Sequence, residues 1–198
     1  MTSKVTQFAE QLSEAETTKV GIAPLTSVDP ELTVEEAYYI QLENINKKIA
    51  QGQKIVGKKI GLTSLAMQNL LGVDEPDYGH LLDSMVVENG GSISIESVLQ
   101  PKVEAEIAFI LKKDLHGPNV TTLDVLQATD YVVPSLEIVD SRVQDWKIKL
   151  QDTVADNGSS KSFVLGGKPT KIEDIDLELI GMVLTKNGEL VNTGVGAA

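Results

Sequence analysis

Two glutamates in the segment VEAEIAFIL have a spacing that suits metal binding. In an extended strand successive side chains alternate between two faces, so Glu104 and Glu106 point the same way, about 7 Å apart. Apolar residues surround and follow them, which predicts a strand buried on both sides. Two carboxylates at the mouth of such a strand repel each other unless a cation neutralises them. Oxygen ligands favour Mg²⁺ or Mn²⁺ over zinc; the alternative is a solvated sheet edge with two surface glutamates.

A third carboxylate lies in a second strand-like segment, VVPSLEIVD. Glu137 is flanked there by Leu136 and Ile138 and could complete a three-carboxylate site that leaves open positions for water and substrate. Asp140 is a competing ligand, although an aspartate after a strand more readily serves a turn.

Other polar residues offer proton-transfer chemistry. Alternation places Lys58 and Lys59 on opposite faces of a strand, so only one of them can face a site; the alternative is a surface lysine pair. The acidic, Gly/Pro-rich stretch 72–85 contains Asp77 and predicts a loop or lid. The polar run 156–161 could present hydroxyls and amides to a ligand or form a simple turn. Neither histidine of the sequence is a convincing partner for Ser159, which argues against a Ser–His–Asp hydrolase.

Composition excludes several other classes of protein. The 198 residues carry a formal net charge of −12, which argues against nucleic-acid binding. The absence of cysteine excludes disulfides and thiolate chemistry, and two histidines, His80 and His116, cannot make a three-histidine metal site. The N-terminus has no apolar core of a signal peptide, and the longest aliphatic or aromatic stretch, 107–111, is too short to span a bilayer. These features predict a cytoplasmic protein.

Helix signals come first along the chain and strand signals follow. Phe8 and Leu12 mark one helical face, and Thr33 with Glu36 has the spacing of a capping box that begins a helix running to about Gln51. Ser64 could begin a short helix ending at residue 72, and residues 122–129 form another. We therefore expect an α+β fold: an N-terminal helical arm over residues 1–53, then a metal-binding domain over 54–198 whose mixed sheet rolls or closes on itself. The strand-like segments are 54–63, 93–95, 103–111, 131–139, 163–165 and 177–185, with Asn187-Gly188 as a hairpin turn.

Five segments in matching order carry a family resemblance. They are IVGKKIGLTS, LLGVDEPDYGHLLDSM, LQPKVEAEIAFILKKDL, VVPSLEIVDSRVQDWKIKLQDTVADNGSS and KNGELVNTGVGAA. In these segments the chain resembles the 2-keto-4-pentenoate hydratases, within the superfamily of the fumarylacetoacetate hydrolase C-terminal domain. The resemblance implies a metal-dependent hydro-lyase of meta-cleavage aromatic catabolism, which converts 2-hydroxypenta-2,4-dienoate into 4-hydroxy-2-oxopentanoate.

The resemblance also implies roles for individual residues. Glu104, Glu106 and Glu137 match the family's ligands for Mg²⁺ or Mn²⁺. Lys59 and Asp77 match motif residues to which we assign the proton transfers, and Ser159 matches a substrate contact. The implied partners are a small 2-oxo acid or hydroxydienoate, further copies of the chain, and the homologous decarboxylase.

Two alternatives to the hydratase remain at this stage. The related 4-oxalocrotonate decarboxylases share the same motifs, and the run NGSSKS favours them, whereas GKKIGLTS, AFILKKDL and VQDWKIKLQDTVADN favour the hydratase. Family members also continue beyond TGVGAA through further strands. The sequence therefore predicts a sheet without its closing strands, and a scaffolding or inactive homologue is the second alternative.

Overall fold

The computed structural model describes residues 3–197 as an α+β protein in which helices precede most of the strands. This order confirms the predicted class. The helices are α1 (Lys4–Thr18), α2 (Leu25–Val28), α3 (Val34–Ala50), α4 (Leu65–Leu71), α5 (Thr122–Ala128) and α6 (Leu150–Ala155). The strands are β1 (Ile55–Gly61), β2 (Asp77–Leu82), β3 (Val86–Val87), β4 (Lys102–Leu111), β5 (Thr129–Val139), β6 (Ser160–Leu165), β7 (Gly181–Lys186) and β8 (Glu189–Val195). Short 3₁₀ turns lie at Asp83–Met85, Ile95–Ser97, Gln144–Trp146, Asn157–Ser159 and Ile172–Asp174.

The N-terminal helices begin and end where local signals place them. Thr33 accepts a hydrogen bond from the backbone of Glu36, and the Glu36 side chain accepts one from the backbone of Thr33, which is the predicted capping box. Gly52 follows the end of α3 with a φ of +99°, a conformation that favours glycine. The apolar faces of α1 and α3 pack with α2 and α6 in one buried cluster: Phe8, Ala9, Leu12, Leu25, Leu32, Ala37, Ile40, Val154 and Ala155.

The stretch predicted as a loop or lid contains a strand, so that prediction was wrong for residues 77–82. β2 pairs antiparallel with β1, with Lys59 opposite Gly79 and Gly61 opposite Asp77. The composition of this stretch favoured a loop because glycine and aspartate are poor strand formers. Here Asp77 and Gly79 are buried, and strand pairing together with burial outweighs their propensity.

Within residues 3–197 the strands form three sheets: the β1–β2 pair, a four-stranded sheet of order β3–β6–β5–β4, and the β7–β8 pair. Asn187 and Gly188 have φ values of +54° and +84° between β7 and β8, which confirms the hairpin turn. The strand predicted at 93–95 was wrong, because Ser94 accepts from the backbone of Glu96 and begins a 3₁₀ turn. The strand predicted from residue 177 begins only at Gly181.

The chain divides into two compact units. The first comprises Met1–Val87, Gly91–Val103 and Ile138–Phe163, and therefore includes the predicted helical arm. Its distant segments are joined by buried polar contacts: the carboxylate of Asp152 accepts from the backbone N–H and the hydroxyl of Thr26, 126 residues away.

The second unit comprises Glu88–Gly90, Glu104–Glu137 and Val164–Ala198. The prediction that β4 is buried on both sides was wrong. β4 lies at one end of its sheet, and Phe109 and Leu111 are 42% and 46% exposed. Among the described residues, no helix is long and apolar enough to cross a membrane.

Candidate functional site

Three glutamates of the second unit converge on one point. Glu104 and Glu106 lie on β4 and Glu137 lies on the neighbouring strand β5. One carboxylate oxygen from each lies within 4.8 Å of the others, so the structure brings together all three residues predicted as metal ligands. Glu137 is only 5% exposed, whereas Glu104 and Glu106 face solvent.

The donor set of this cluster suits a hard divalent cation. Three carboxylates at this separation carry a formal charge of −3, and their mutual repulsion is relieved when a cation lies between them. All the donors are oxygens, the ligand type that Mg²⁺ and Ca²⁺ prefer. Three protein ligands leave further coordination positions for water or for oxygens of a small molecule.

Asp140, the alternative metal ligand considered from the sequence, has a structural role in the first unit instead. Its carboxylate accepts hydrogen bonds from the backbone N–H groups of Leu99 and Gln100, at 2.9 and 2.7 Å. Asp140 is 1% exposed and thus anchors the segment before β4, as expected for an aspartate that serves a turn.

Lys59 and Asp77 meet beside Gly61 in the first unit. A Cβ atom at Gly61 would overlap Oδ1 of Asp77 and would lie 3.5 Å from Cε of Lys59. Only glycine at this position leaves room for the Asp77 carboxylate, and the Lys59 side chain lies in ordinary van der Waals contact beside it. Asp77 is 4% exposed, and Nζ of Lys59 donates to the carbonyl of Gly158 at 3.1 Å.

The neighbouring lysine points elsewhere, as strand alternation predicts. Nζ of Lys58 lies 4.5 Å from the centre of the Tyr78 ring, a cation–π contact. Tyr78 in turn stacks on Tyr38 with ring centres 4.6 Å apart, and its backbone N–H donates to the Tyr38 hydroxyl. Burial raises the pKa of Tyr38. Of the two lysines, Lys59 is therefore the one whose side chain lies near Asp77.

Ser159 lies in a left-handed turn. Asn157, Gly158 and Ser159 have φ values of +59°, +61° and +54°. Ser159 is 2% exposed, and its hydroxyl donates to Oδ2 of Asp156 at 3.3 Å. The polar run 156–161 is therefore a turn leading into β6, and a substrate contact by Ser159 stays a prediction.

A buried ion pair beside this turn was missed from the sequence. Nε of Arg142 donates to Oδ1 of Asp156 at 2.5 Å, and the two side chains are 7% and 1% exposed. The guanidinium also donates to the carbonyls of Asp140, Ser160 and Asp156. The Asp156 carboxylate further accepts from the Arg142 backbone at 3.0 Å. Arg142 is the only arginine in the sequence, and its place shortly after the apolar strand β5 was the available signal.

His80 is part of the framework of β2. Both N–H groups of the Gln41 amide donate to carbonyls, of Tyr78 and Val154, so its Oε1 must accept from Nδ1–H of His80 at 2.8 Å. This arrangement requires a proton on Nδ1 of His80. Burial, and to a smaller degree the charge of Lys58, lowers the pKa of His80.

Comparison with family models gives no match. The chain is 50% identical over 195 residues to a 2-hydroxypent-2,4-dienoate hydratase of Pseudomonas putida, covering 98% of this chain and 88% of that protein. It is 49% identical over 191 residues to a 2-hydroxyhexa-2,4-dienoate hydratase of Comamonas testosteroni, covering 96% of this chain and 72% of that protein.

Solved structures of a related enzyme share the fold. The 4-oxalocrotonate decarboxylase from Pseudomonas putida G7, complexed with magnesium and adipate, superposes with a TM-score of 0.93 at 42% identity, over 98% of this chain and 74% of that one. The same enzyme complexed with calcium and acetate gives a TM-score of 0.91.

Proposed function

The chain belongs to the 2-keto-4-pentenoate hydratase family, and we propose on that basis that it adds water to 2-hydroxypenta-2,4-dienoate to give 4-hydroxy-2-oxopentanoate. The observation that carries the proposal is identity of about 50% to hydratases over nearly the whole chain. Such a reaction belongs to the meta-cleavage catabolism of aromatic compounds.

We propose that Glu104, Glu106 and Glu137 hold a divalent cation, Mg²⁺ or Mn²⁺. Their oxygens lie within 4.8 Å of one another, and the structurally similar decarboxylase is complexed with magnesium or calcium. When bound, such a cation supplies Lewis acidity that polarises the 2-oxo group of the substrate.

The protein's own side chains move the protons. The enol O–H loses a proton while C5 gains one, which gives an α,β-unsaturated 2-oxo acid. The water oxygen then bonds to C4, the water loses a proton, and C3 gains one. Nζ of Lys59 and the carboxylate of Asp77 are the groups assigned to these transfers, because they meet beside Gly61 and can each hold a proton. Ser159 is proposed to contact the substrate, because it matches the substrate-contacting serine of the family motif.

The test is an ultraviolet assay with product analysis. The dienol is generated in situ and mixed with protein and Mg²⁺ or Mn²⁺; its absorbance is followed, and 4-hydroxy-2-oxopentanoate is measured by chromatography. We expect metal-dependent product that is lost in Glu106→Gln. Glu189→Gln is the matched control, because Glu189 is an exposed strand glutamate outside the cluster. Absence of product from the wild-type protein would refute the hydratase assignment.

A decarboxylase is the second candidate, supported by the TM-score of 0.93 to 4-oxalocrotonate decarboxylase. The identity to that enzyme is 42%, against 50% to the hydratase from Pseudomonas putida. Release of CO₂ from 4-oxalocrotonate, without hydration of the dienol, would select this function.

Four wider predictions accompany the proposed function. We propose that the sheets belong to a rolled architecture like that of the fumarylacetoacetate hydrolase C-terminal domain. Self-association and a complex with the homologous decarboxylase are to be tested by light scattering and co-purification. A cytoplasmic location is to be tested by cell fractionation.

A further inference from the structure

We propose that Asn157 is a positioning residue that fixes the ammonium group of Lys59 through the backbone carbonyl of Gly158. This inference rests on the proposed function of Lys59 in proton transfer. It starts from the turn Asn157–Ser159, in which three successive residues adopt left-handed backbone conformations. Such conformations are unfavourable for Asn and Ser compared with ordinary helical or extended ones, so contacts around the turn must hold it in place.

The Asn157 side chain supplies two of those contacts. Its Oδ1 accepts from the backbone N–H of His80 at 2.7 Å, and its Nδ2 donates to the backbone carbonyl of His80 at 2.9 Å. The amide therefore pairs with β2 as a neighbouring strand would. His80 lies opposite Lys58 in the β1–β2 register, so the attachment point is next to the strand position of Lys59.

Two glycines let the turn approach this closely. A Cβ atom at Gly79 would lie 2.5 Å from the carbonyl oxygen of Asn157. A Cβ atom at Gly158 would lie 2.7 Å from Cδ of Lys59 and 3.3 Å from its Nζ. One side of the turn thus packs on β2, and the other side contacts the aliphatic part of the Lys59 side chain.

The hydrogen bond to Gly158 links this packing to chemistry. A lysine ammonium on four methylenes has many rotamers, and β1 alone does not fix its position. The 3.1 Å bond from Nζ to the Gly158 carbonyl restrains the ammonium group, and the Asn157 amide holds the turn that carries this carbonyl. Loss of the amide contacts should therefore misplace the ammonium group while leaving the substrate's other contacts intact.

The experiment compares Asn157→Gly with Asn187→Gly. Glycine adopts the left-handed backbone at residue 157 without steric strain, so this change removes the amide contacts and adds backbone freedom, for which Asn187→Gly is the control. Asn187 also has a positive φ, but it is an exposed hairpin residue. Two readouts are measured: kcat and KM in the hydratase assay, and the acetylation rate of Lys59 by acetic anhydride in the metal-free protein. Exposed Lys147 serves as the internal reference for acetylation by peptide mass spectrometry.

In Asn157→Gly we expect kcat to fall about 10- to 100-fold with KM within about threefold, and Lys59 to be acetylated several-fold faster. Asn187→Gly should match the wild type in both. Unchanged acetylation of Lys59, or an equal loss of kcat in Asn187→Gly, would overturn the positioning role. If Asn157→Gly does not fold, Gly79→Ala displaces the same turn from the β2 side and must give the same two changes. An inactive wild type would refute the proposed function, while the acetylation comparison would still decide the role of Asn157.

Discussion

The buried pair of Arg142 and Asp156 makes a quantitative prediction about stability. Asp156→Asn keeps the shape of the side chain but removes its charge, so the buried guanidinium of Arg142 loses the carboxylate that it contacts directly. The Asp156 carboxylate accepts from Nε and the backbone N–H of Arg142 and from the hydroxyls of Ser141 and Ser159. The substitution therefore disturbs a buried network and creates no cavity.

The expected cost is large for a protein of this size. Removing one partner of a buried ion pair lowers the free energy of unfolding by about 3–5 kcal/mol, against a total of about 5–15 kcal/mol for a typical domain. With a urea m-value of about 2 kcal/mol/M, a loss of 4 kcal/mol moves the unfolding midpoint down by about 2 M. The double variant with Arg142→Met should lose less than the sum of the two single variants, because it also removes the guanidinium that Asp156→Asn leaves without its contacting carboxylate.

The measurement is urea unfolding followed by the fluorescence of Trp146. Trp146 is the only tryptophan, and it lies in the same unit as the ion pair, with its Nε1 donating to the Gln100 carbonyl at 3.0 Å. Asp145→Asn is the control, since Asp145 pairs with Lys147 at 3.0 Å where both side chains are about two-thirds exposed, and its midpoint should not change. A loss below about 1 kcal/mol in Asp156→Asn would refute the reasoning that the pair is desolvated.

Three further predictions follow from the structure. Burial, and to a smaller degree the charge of Lys58, lowers the pKa of His80 in the folded protein. The histidine is therefore protonated first in the unfolded chain, and the free energy of unfolding should fall as the pH drops below about 6.5. In unfolding measured from pH 7.5 to 5, His80→Asn should reduce this pH dependence, and an unchanged pH dependence would contradict the prediction. Thr33→Ala removes the cap of α3 and should cost about 1 kcal/mol in urea unfolding; no loss would contradict it. Glu106→Gln should weaken Mg²⁺ binding at least about tenfold by calorimetry, and equal affinity would show that the cluster is not the metal site.

Much of the fold was predictable because its signals are local. The capping box of Thr33 and Glu36 and the turn of Asn187 and Gly188 depend only on neighbouring residues, and both occur where the sequence predicts them. β2 was missed because its formation depends on pairing with β1 and on the approach of residue 157, both non-local. The exposure of β4 depends on its place at the end of a sheet, which no local pattern encodes.

The same distinction between local and non-local signals applies to the candidate site. Strand alternation placed Glu104 and Glu106 together, and the structure brings Glu137, the third predicted carboxylate, to them from a neighbouring strand. The pairing of Arg142 with Asp156 could not be predicted, because 14 residues and a helix separate the two positions. Burial of a polar group is visible only once its partners have been brought together.

The contact between Thr26 and Asp152 has a consequence for folding kinetics. It closes a loop of 126 residues, and Gln41 contacts Val154 across 113 residues. Contacts of such high sequence separation slow folding, because loop entropy is lost before the contacts form. During synthesis α1 and α3 emerge long before α6, which packs against α3 and completes their shared apolar cluster. The nascent helices therefore present an uncovered hydrophobic surface until residue 155 has been made, and general chaperones that bind such surfaces should act on the chain in that interval.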